Sequence, residues 1–395
     1  MRTALWGQLG IGLAIVCGLA LASAAPALGQ PDNLGRHIVV FQPWFADEAK
    51  QQAAIHGAGG QSLRSLRIIN GVAAALPPSV EKQLARRAEV ARVDVDATVY
   101  ALGGRKPKPT PPPPPQQLSW GVDRIDAEWA WATSRGAGVR VAVIDTGIDK
   151  DHPDLIANLA GGTNFVRKGR SVDSNAWDDD NGHGTHVAGI IAAADNTIGV
   201  VGVAPQASLY GVKVLNKAGS GYISDIIAAI EWAVDNGMDI ANMSLGSNSD
   251  VQSLHDACDT AAAAGLLLVA AAGNDGKAVD YPGAYSSVIA VAATDANDAV
   301  ASWSSRGPEV YIAAPGVSIT STWKGGGYAT ISGTSMAAPH VAGTLALMLG
   351  AGVGDDACAG ADDLPPAGPD IYSGCGLVDA GESVTGIPNY GDNLP

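Results

Sequence analysis

Between residues 118 and 384, short apolar runs that end in polar residues or glycine alternate with stretches of helical periodicity. The apolar runs read VRVAVIDTG, ASLYGVKVL, MDIANMSLG, GLLLVAAAGN and SVIAVAATD, and the clearest helical stretches read GYISDIIAAIEWAVDNG and VQSLHDACDTAAAAG. Buried strands that alternate with helices favour an α/β fold, in which helices cover both faces of a doubly wound, mostly parallel sheet. Chemistry in such sheets gathers at the carboxyl ends of the strands, so the polar residues that close these runs are candidates for function.

A second pattern occupies residues 36–102. HIVVF and VARVDVDATVY have the pattern of a first and a last strand, ADEAKQQAAIHGAG and PSVEKQLARRA of helices, and SLRSLRIINGVAAALP of a hairpin around Asn70-Gly71. The order βαββαβ predicts a small α+β module of the ferredoxin-like type. Residues 103–117, GGRKPKPTPPPPPQQ, are too rich in proline for a helix or a central strand, and we expect an extended linker there.

Residues 1–29 have the features of a secretory signal peptide. Arg2 supplies the positive charge, an apolar run spans residues 9–22, and small residues follow. A retained membrane anchor, the alternative, requires a longer apolar run, so we expect a secreted protein without a stable anchor. The net charge of −15 and the pI of about 4.7 argue against nucleic acid and anionic membranes as partners. Residues 385–395 are expected to form a loose tail.

Three of the four cysteines lie beyond the predicted signal peptide, and an exported chain permits disulfides. Cys358 and Cys375 flank a loop rich in proline, glycine and aspartate, and they are the favoured pair. Cys258 lies in an alanine-rich helical stretch, where we expect a buried free thiol.

Three polar residues stand where catalytic groups are expected. Asp145 closes the strand VAVID, His183 opens a helix after DDDNG, and Ser335 lies in SGTSMAAPHVAG, where a loop reaches a helix N-terminus. Taken singly, they are compatible with a strand-end acid, a core histidine and an N-cap serine. Together they supply what a serine nucleophile requires, which is a base to take its proton and a carboxylate to fix the tautomer of that base.

The blocks VAVIDTGIDKDHPDL, NGHGTHVAG and SGTSMAAPHVAG resemble the three signature blocks of the subtilisin-like serine proteases, the subtilases. Their order in the chain is the order Asp, His, Ser known for that family. The resemblance implies that Asp145, His183 and Ser335 form the catalytic triad of a serine endopeptidase. It also implies that the side-chain amide of Asn274, in VAAAGND, binds the oxyanion together with the backbone N–H of Ser335.

The same resemblance implies a substrate-binding edge and a pocket for the side chain that precedes the scissile bond. MSLGS matches the edge strand that pairs with the substrate backbone. AAG, before Asn274, matches a wall of the specificity pocket, and Asp280 matches a position at its base, where an acid favours a basic side chain. The residues of the edge and the wall are Ser244, Leu245, Gly246, Ala271 and Gly273.

Calcium is the metal that the resemblance implies. DHPDL and the loop ADNTIGVVGVAP match the family's structural calcium site, and Gln116 also matches in position. Ca²⁺ takes carboxylate, amide and backbone oxygens, which such a loop supplies. Residues 178–180 are an alternative second site, although a solvated acidic loop is favoured there. The implied ligands are the side chains of Asp154 and Asn196 and the backbone oxygens of Ala194, Ile198 and Val200.

Residues 36–102 resemble the inhibitory propeptide of the subtilases, most clearly in NGVAAALPPSVEKQL. This implies a zymogen whose propeptide ends in the active site like a product, with self-cleavage near Leu102–Gly103. Arg105 is a rival cleavage site if Asp280 selects basic residues. The implied partners are protein or peptide substrates and the chain's own propeptide, and a monomer is expected.

Two other functions compete with this one. A catalytically inactive, peptide-binding relative should lack a triad residue or Asn274, and the chain retains them all. A zinc hydrolase would use His183 and His186, but zinc protease helices space their histidines four apart around a glutamate. Here the spacing is three, with Gly184 and Thr185 between. We expect His186 to be a structural neighbour on the same helix face.

Overall fold

The computed structural model describes residues 34–103, 114–169 and 171–387. The predicted signal peptide, and most of the predicted linker and tail, lie outside the described residues. Within those three ranges, no helix is long and apolar enough to cross a membrane.

The first unit is a four-stranded antiparallel sheet with two helices. Its elements are β1 (Gly35–Phe41), α1 (Glu48–Gly57), β2 (Gln61–Leu66), β3 (Gly71–Leu76), α2 (Pro78–Leu84), β4 (Val90–Val95) and β5 (Thr98–Ala101). The sheet order is β2-β3-β1-β4, which confirms the ferredoxin-like prediction. Val39 and Phe41 pack against the two helices, whereas Ile38 and Val40 face the large unit, as the period of a strand requires.

The large unit alternates strands and helices, and most of them surround one sheet. Its elements are β6 (Gln117–Leu118), α3 (Trp120–Arg124), α4 (Ala127–Ala130), β7 (Arg140–Asp145), β8 (Leu159–Asn164), α5 (His183–Ala192), β9 (Val200–Val201), β10 (Ser208–Lys213), β11 (Ser220–Tyr222), α6 (Ile223–Asp235), β12 (Ile240–Met243), β13 (Leu245–Gly246), α7 (Gln252–Ala263), β14 (Leu267–Ala271), β15 (Ile289–Thr294), β16 (Val310–Pro315), β17 (Ile319–Trp323), β18 (Gly327–Ile331), α8 (Thr334–Ala351) and α9 (Ala380–Thr385). The central sheet has the order β16-β15-β14-β12-β7-β10-β8, with all neighbours parallel.

Alternate residues of β7 point to opposite faces of the central sheet. Val141 and Val143 pack with α5 and α8, whereas Ala142 and Ile144 pack with α6 and α7. Helices therefore cover both faces, which confirms the predicted α/β fold. Asp145 closes β7 at the carboxyl edge of this sheet, and the segments after β12 and β14 begin at the same edge.

One strand prediction is wrong in its extent. The sequence favours a single strand over residues 90–100, but β4 ends at Val95 and β5 begins at Thr98. β4 completes the small sheet, whereas β5 lies between β11 and β13 and pairs antiparallel with both. A period of two residues reports which face of a strand is buried, and it does not report which sheet the strand joins.

The cysteine predictions are confirmed. Cys358 and Cys375 form a disulfide across the loop that follows α8. Cys258 is a free thiol in α7, and it is fully buried. Burial raises the pKa of the Cys258 thiol, so this group stays protonated and unreactive.

Candidate active site

Asp145, the last residue of β7, lies beside His183, the first residue of α5. The Nδ1 atom of His183 is 2.8 Å from Oδ1 and 2.9 Å from Oδ2 of Asp145, and both side chains are buried. A carboxylate at this distance holds the proton on Nδ1 and leaves Nε2 able to accept another. Nε2 has no hydrogen-bond partner among the described residues.

The charges around His183 oppose the effect of its burial. Burial lowers the pKa of His183, but the carboxylate of Asp145 and, more weakly, that of Asp179 raise it, and the resulting pKa lies above the ordinary value. The protonated imidazole is therefore stabilised at this position, and that is the state which follows proton transfer from a nucleophile.

Ser335 is the second residue of α8, so its side chain lies at a helix N-terminus. Its Oγ donates to the carbonyl oxygen of Ser244 at 2.9 Å, and the Ser244 hydroxyl donates to the carbonyl oxygen of Ser335 at 2.9 Å. In this conformation Oγ is not hydrogen-bonded to Nε2 of His183. Ser335 must rotate about χ1 before the two groups can meet.

Leu102 and Gly103 occupy the space between these groups. The Asn274 side-chain amide donates to the carbonyl oxygen of Leu102 at 2.5 Å. A Cβ on Gly333 would lie 2.6 Å from that oxygen, and a Cβ on Gly103 would lie 2.6 Å from Cδ2 of His183. The Leu102–Gly103 peptide thus lies between Asn274 and His183, and the glycine at position 333 permits its close approach.

β5 leads into this position as an extended strand. The N–H of Ala101 donates to the carbonyl oxygen of Gly219 at 2.9 Å, and the N–H of Leu102 donates to that of Ser244 at 3.3 Å. Tyr100 and Ala101 pair with Gly246 and Leu245 of β13. Residues 244–246, the edge implied by the family resemblance, therefore hold an extended peptide by main-chain hydrogen bonds.

The side chain of Leu102 enters a pocket with glycine walls. Gly246 and Gly273 both lie against Asp280, since a Cβ on either glycine would come within 3.0 Å of an atom of that aspartate. Ala271, the last residue of β14, is fully buried beside this wall. Asp280 thus lies against one glycine of the implied substrate edge and one of the implied pocket wall.

Asp179 is buried immediately before α5. Its carboxylate accepts from the backbone N–H groups of Asn181, Gly182 and Thr185 and from the Thr185 hydroxyl, at 2.6 to 3.0 Å. The expectation of a solvated acidic loop agrees with Asp178 and Asp180, which are exposed, but it is wrong for Asp179, which is 8% exposed. Sequence reasoning missed this role, although an acid shortly before a helix start is the usual signal of a capping group.

Thr334 is a second residue that sequence reasoning missed. Its backbone N–H and its hydroxyl donate to Oδ1 of Asn274 at 2.9 and 3.0 Å. These bonds fix which side of the amide carries the NH₂ group, and so they direct the Nδ2 donor towards the carbonyl oxygen of Leu102. The sequence carries no separate signal for this contact.

His186 is fully buried one turn after His183. Its Nε2–H donates to the carbonyl oxygen of Ala329 at 3.0 Å, and burial lowers its pKa to about 3, so the ring is neutral. Across the described ranges, no three His, Cys, Asp or Glu side chains are grouped as metal ligands.

Asp154 packs against the loop that follows α5. Its carboxylate accepts from the Asn196 side-chain amide at 2.7 Å and from the backbone N–H of Val200 at 3.0 Å. Its own carbonyl oxygen accepts from the N–H of Ala194 at 2.9 Å. The N–H of Ile198 donates to Oδ1 of Asn196 at 2.7 Å. Asp154 therefore lies against the loop that contains the other residues implied as calcium ligands.

The oxygen-rich composition of this loop fits calcium. Asp154 is fully buried, it forms no ion pair within the described part of the chain, and burial raises its pKa. A cation would stabilise the ionised carboxylate that burial disfavours. Gln116 also contacts the loop, since its Nε2 donates to Oδ1 of Asp195 at 2.8 Å.

Comparison with known proteins identifies the family. The profile of the Subtilase family matches residues 136–353. Subtilisin E of Bacillus subtilis (strain 168) is 41% identical over 354 residues, which cover 87% of this chain and 88% of that protein. A thermostable alkaline protease of Halalkalibacterium halodurans is 47% identical over 69% of this chain and 72% of its own length. Subtilisin Savinase of Lederbergia lenta is 50% identical over 59% of this chain and 84% of its own length. The chain therefore belongs to the subtilase family of serine endopeptidases.

Proposed function

We propose that Ser335, His183 and Asp145 hydrolyse peptide bonds through an acyl-enzyme, and that Asn274 and the backbone N–H of Ser335 bind the oxyanion. The position of the Leu102 carbonyl carries this proposal. Its oxygen accepts from Asn274, and the next residue lies against the imidazole that is paired with Asp145. A carbonyl held between a donor and a base is the arrangement that acyl transfer needs.

The reaction begins when Ser335 rotates towards His183. Oγ attacks the carbonyl carbon while Nε2 of His183 takes the hydroxyl proton, and the carbonyl electron pair becomes the oxyanion. The imidazolium, stabilised by Asp145, then gives that proton to the leaving amine nitrogen as the C–N bond breaks. Water attacks the resulting ester in the same way, and the carboxylic acid leaves with Ser335 restored.

The proposed enzyme is made as a zymogen, in which residues 36–102 are the inhibitory propeptide and Leu102–Gly103 is the bond that is cleaved. β5 lies where a substrate strand must bind, so substrate enters only after the propeptide leaves. Arg64 pairs with Asp225 at 3.0 Å and Arg67 with Glu231 at 2.8 Å, and these ion pairs add to the contact. Arg105, the rival cleavage site, lies outside the described residues.

Two further parts of the proposal concern export and calcium. Secretion rests on the sequence of residues 1–29. Asp154, Asn196 and the backbone oxygens of Ala194, Ile198 and Val200 would hold one Ca²⁺. Its positive charge would connect segments of the fold and would take no part in bond cleavage.

Serine and histidine variants test the function. Ser335→Ala should lower kcat about 10⁶-fold, leave the full chain uncleaved at Leu102–Gly103, and abolish labelling by a serine-directed phosphonate. His183→Ala should cause a similar loss of turnover. Ser302→Ala, which changes an exposed serine, is the matched control and should retain activity and labelling. Hydrolysis that survives Ser335→Ala would refute the proposal.

The variant His186→Ala tests whether the two histidines of α5 have different roles. We expect it to lower the midpoint of thermal unfolding, because it removes a buried hydrogen bond to Ala329. The protein that remains folded should still hydrolyse peptides. Equal loss of activity in well-folded His183→Ala and His186→Ala would show that this division is wrong.

A further inference from the structure

The pocket that receives the Leu102 side chain contains a carboxyl group. A Cβ built on Gly246 would lie 2.8 Å from Cδ1 of Leu102 and 2.9 Å from Cβ of Asp280. A Cβ built on Gly273 would lie 2.8 Å from Oδ2 of Asp280. The two glycines therefore leave room for both groups, and Gly246 lies against the apolar side chain of Leu102 and against that of Asp280, which is partly buried.

Asp280 lacks the partners that a desolvated carboxylate needs. Among the described residues, its side chain takes part in no hydrogen bond and no ion pair. Burial and, after it, the charge of Asp275 raise the pKa of Asp280 to about 6, while Lys277 acts in the opposite direction. The group therefore changes its charge between acidic and neutral pH.

The other charged groups around the pocket have partners of their own. Nζ of Lys277 lies 3.2 Å from Oδ2 of Asp275, and both side chains are exposed. Arg306 lies over the ring of Tyr372, 5.5 Å from its centroid. Burial raises the pKa of Tyr281, so that phenol is neutral. The segments 244–246 and 271–273 carry no titratable side chain, which leaves Asp280 as the group that titrates in the pocket.

We propose that Asp280 makes the choice of substrate depend on pH: its carboxylate selects lysine or arginine before the scissile bond, and its carboxylic acid selects leucine or a similar apolar side chain. This inference rests on the proposed protease function. A carboxylate that faces leucine is desolvated and unpaired, which is unfavourable, whereas an ammonium or guanidinium group pairs with it. The neutral acid is less costly beside leucine and has no charge to attract a cation.

Proton linkage fixes the direction of the effect. The pKa of about 6 is that of Asp280 with Leu102 beside it, so a leucine binds better below this pH than above it. A lysine lowers that pKa and binds better above it. The propeptide places a leucine, Leu102, in the pocket, so it should leave the pocket more readily as the pH rises.

The test compares two peptide anilides that differ only in lysine or leucine before the cleaved bond. The matured enzyme is assayed for kcat/KM from about pH 5 to about pH 9 at constant ionic strength. Both substrates use the same base, so the titration of His183 cancels in the ratio of the two constants. We expect the lysine-to-leucine ratio to rise about tenfold or more with a midpoint near pH 6. A ratio that stays flat with pH in the wild-type enzyme would overturn the proposal.

Three variants assign the titration to one group. Asp280→Asn should give a lysine-to-leucine ratio that favours leucine and does not change with pH. Asp280→Gly should repeat this result if asparagine impairs folding. Asp275→Asn, the matched control, should keep the sigmoid but move its midpoint to lower pH, because Asp275 raises the pKa of Asp280. If the ratio in Asp280→Asn depends on pH as it does in the wild-type enzyme, the role of this residue is refuted. If neither substrate is cleaved and Ser335 is not labelled by a phosphonate, the proposed function itself fails.

Discussion

Asp179 acts on the proposed base, His183, in two ways. It caps the helix that begins with this histidine, and its charge raises the pKa of the imidazole. Asparagine at this position keeps the size but loses the charge and one acceptor oxygen. The pKa of His183 should then fall. Since the neutral imidazole is the base, the acid limb of kcat/KM should move to lower pH.

We expect Asp179→Asn to lower kcat about 10- to 100-fold, because a small misplacement of a catalytic group is costly, and to leave KM almost unchanged. The pH profile of kcat/KM measures the shift of the acid limb. Asp178→Asn is the matched control, since the Asp178 carboxylate accepts from the backbone of Lys150 and does not cap the helix. A fall in kcat with no movement of the acid limb would contradict the electrostatic part of this role.

At the scale of elements, residues 36–102, the proposed propeptide, supply helix caps to the large unit. Asp96 accepts from the backbone N–H and the hydroxyl of Ser224 at 2.8 Å each, at the start of α6. Asp94 accepts from the N–H of Ser253 at 3.1 Å, at the start of α7. Neither helix has a side-chain cap from its own N-cap residue. The proposed propeptide therefore satisfies orphan N–H groups that the large unit leaves open.

Removing one of these caps should destabilise the helix on the other side of the interface. In the uncleaved Ser335→Ala chain, Asp96→Ala should lower the free energy of unfolding by about 1 to 2 kcal/mol. It should also speed amide hydrogen exchange at residues 224–226. Asp47→Ala is the matched control, because Asp47 caps α1 within the proposed propeptide. Exchange at residues 224–226 that is the same in both variants would rule out the proposed cap.

Local patterns account for most of the elements and for only part of the site. Periods of two and 3.6 residues predict the strands and helices because each reports which face of a segment is buried. The same patterns end at Asp145 and begin near Ser335, so they also predict that these two residues lie at the ends of elements. The position of β5, the burial of Asp179 and the surroundings of Asp280 depend instead on segments that are far apart in the sequence. Such contacts have no period, so the sequence does not reveal them.

At the scale of the whole molecule, the loop that follows α5 joins distant segments. The N–H of Gly199 donates to the carbonyl oxygen of Pro114 at 2.7 Å, and the N–H of Gln117 donates to that of Gly199 at 2.8 Å. The end of the predicted linker is thus part of the large unit. Asp154 contacts the same loop from a third segment. A cation at Asp154 would therefore tie all three segments together and resist their separation on unfolding.

This arrangement predicts that calcium stabilises the fold through Asp154. A ligand present at about 100 times its dissociation constant contributes about 2.7 kcal/mol, so in a chain of this length chelation should lower the midpoint of thermal unfolding by about 3 to 5 °C. Asp154→Asn should unfold at a lower temperature than the wild type and should not respond to the chelator. Asp259→Asn, which removes an exposed acid of α7, should respond as the wild type does. Calorimetry on the uncleaved Ser335→Ala chain measures these midpoints without self-digestion. A chelator response of the same size in Asp154→Asn would place the stabilising ion elsewhere in the molecule.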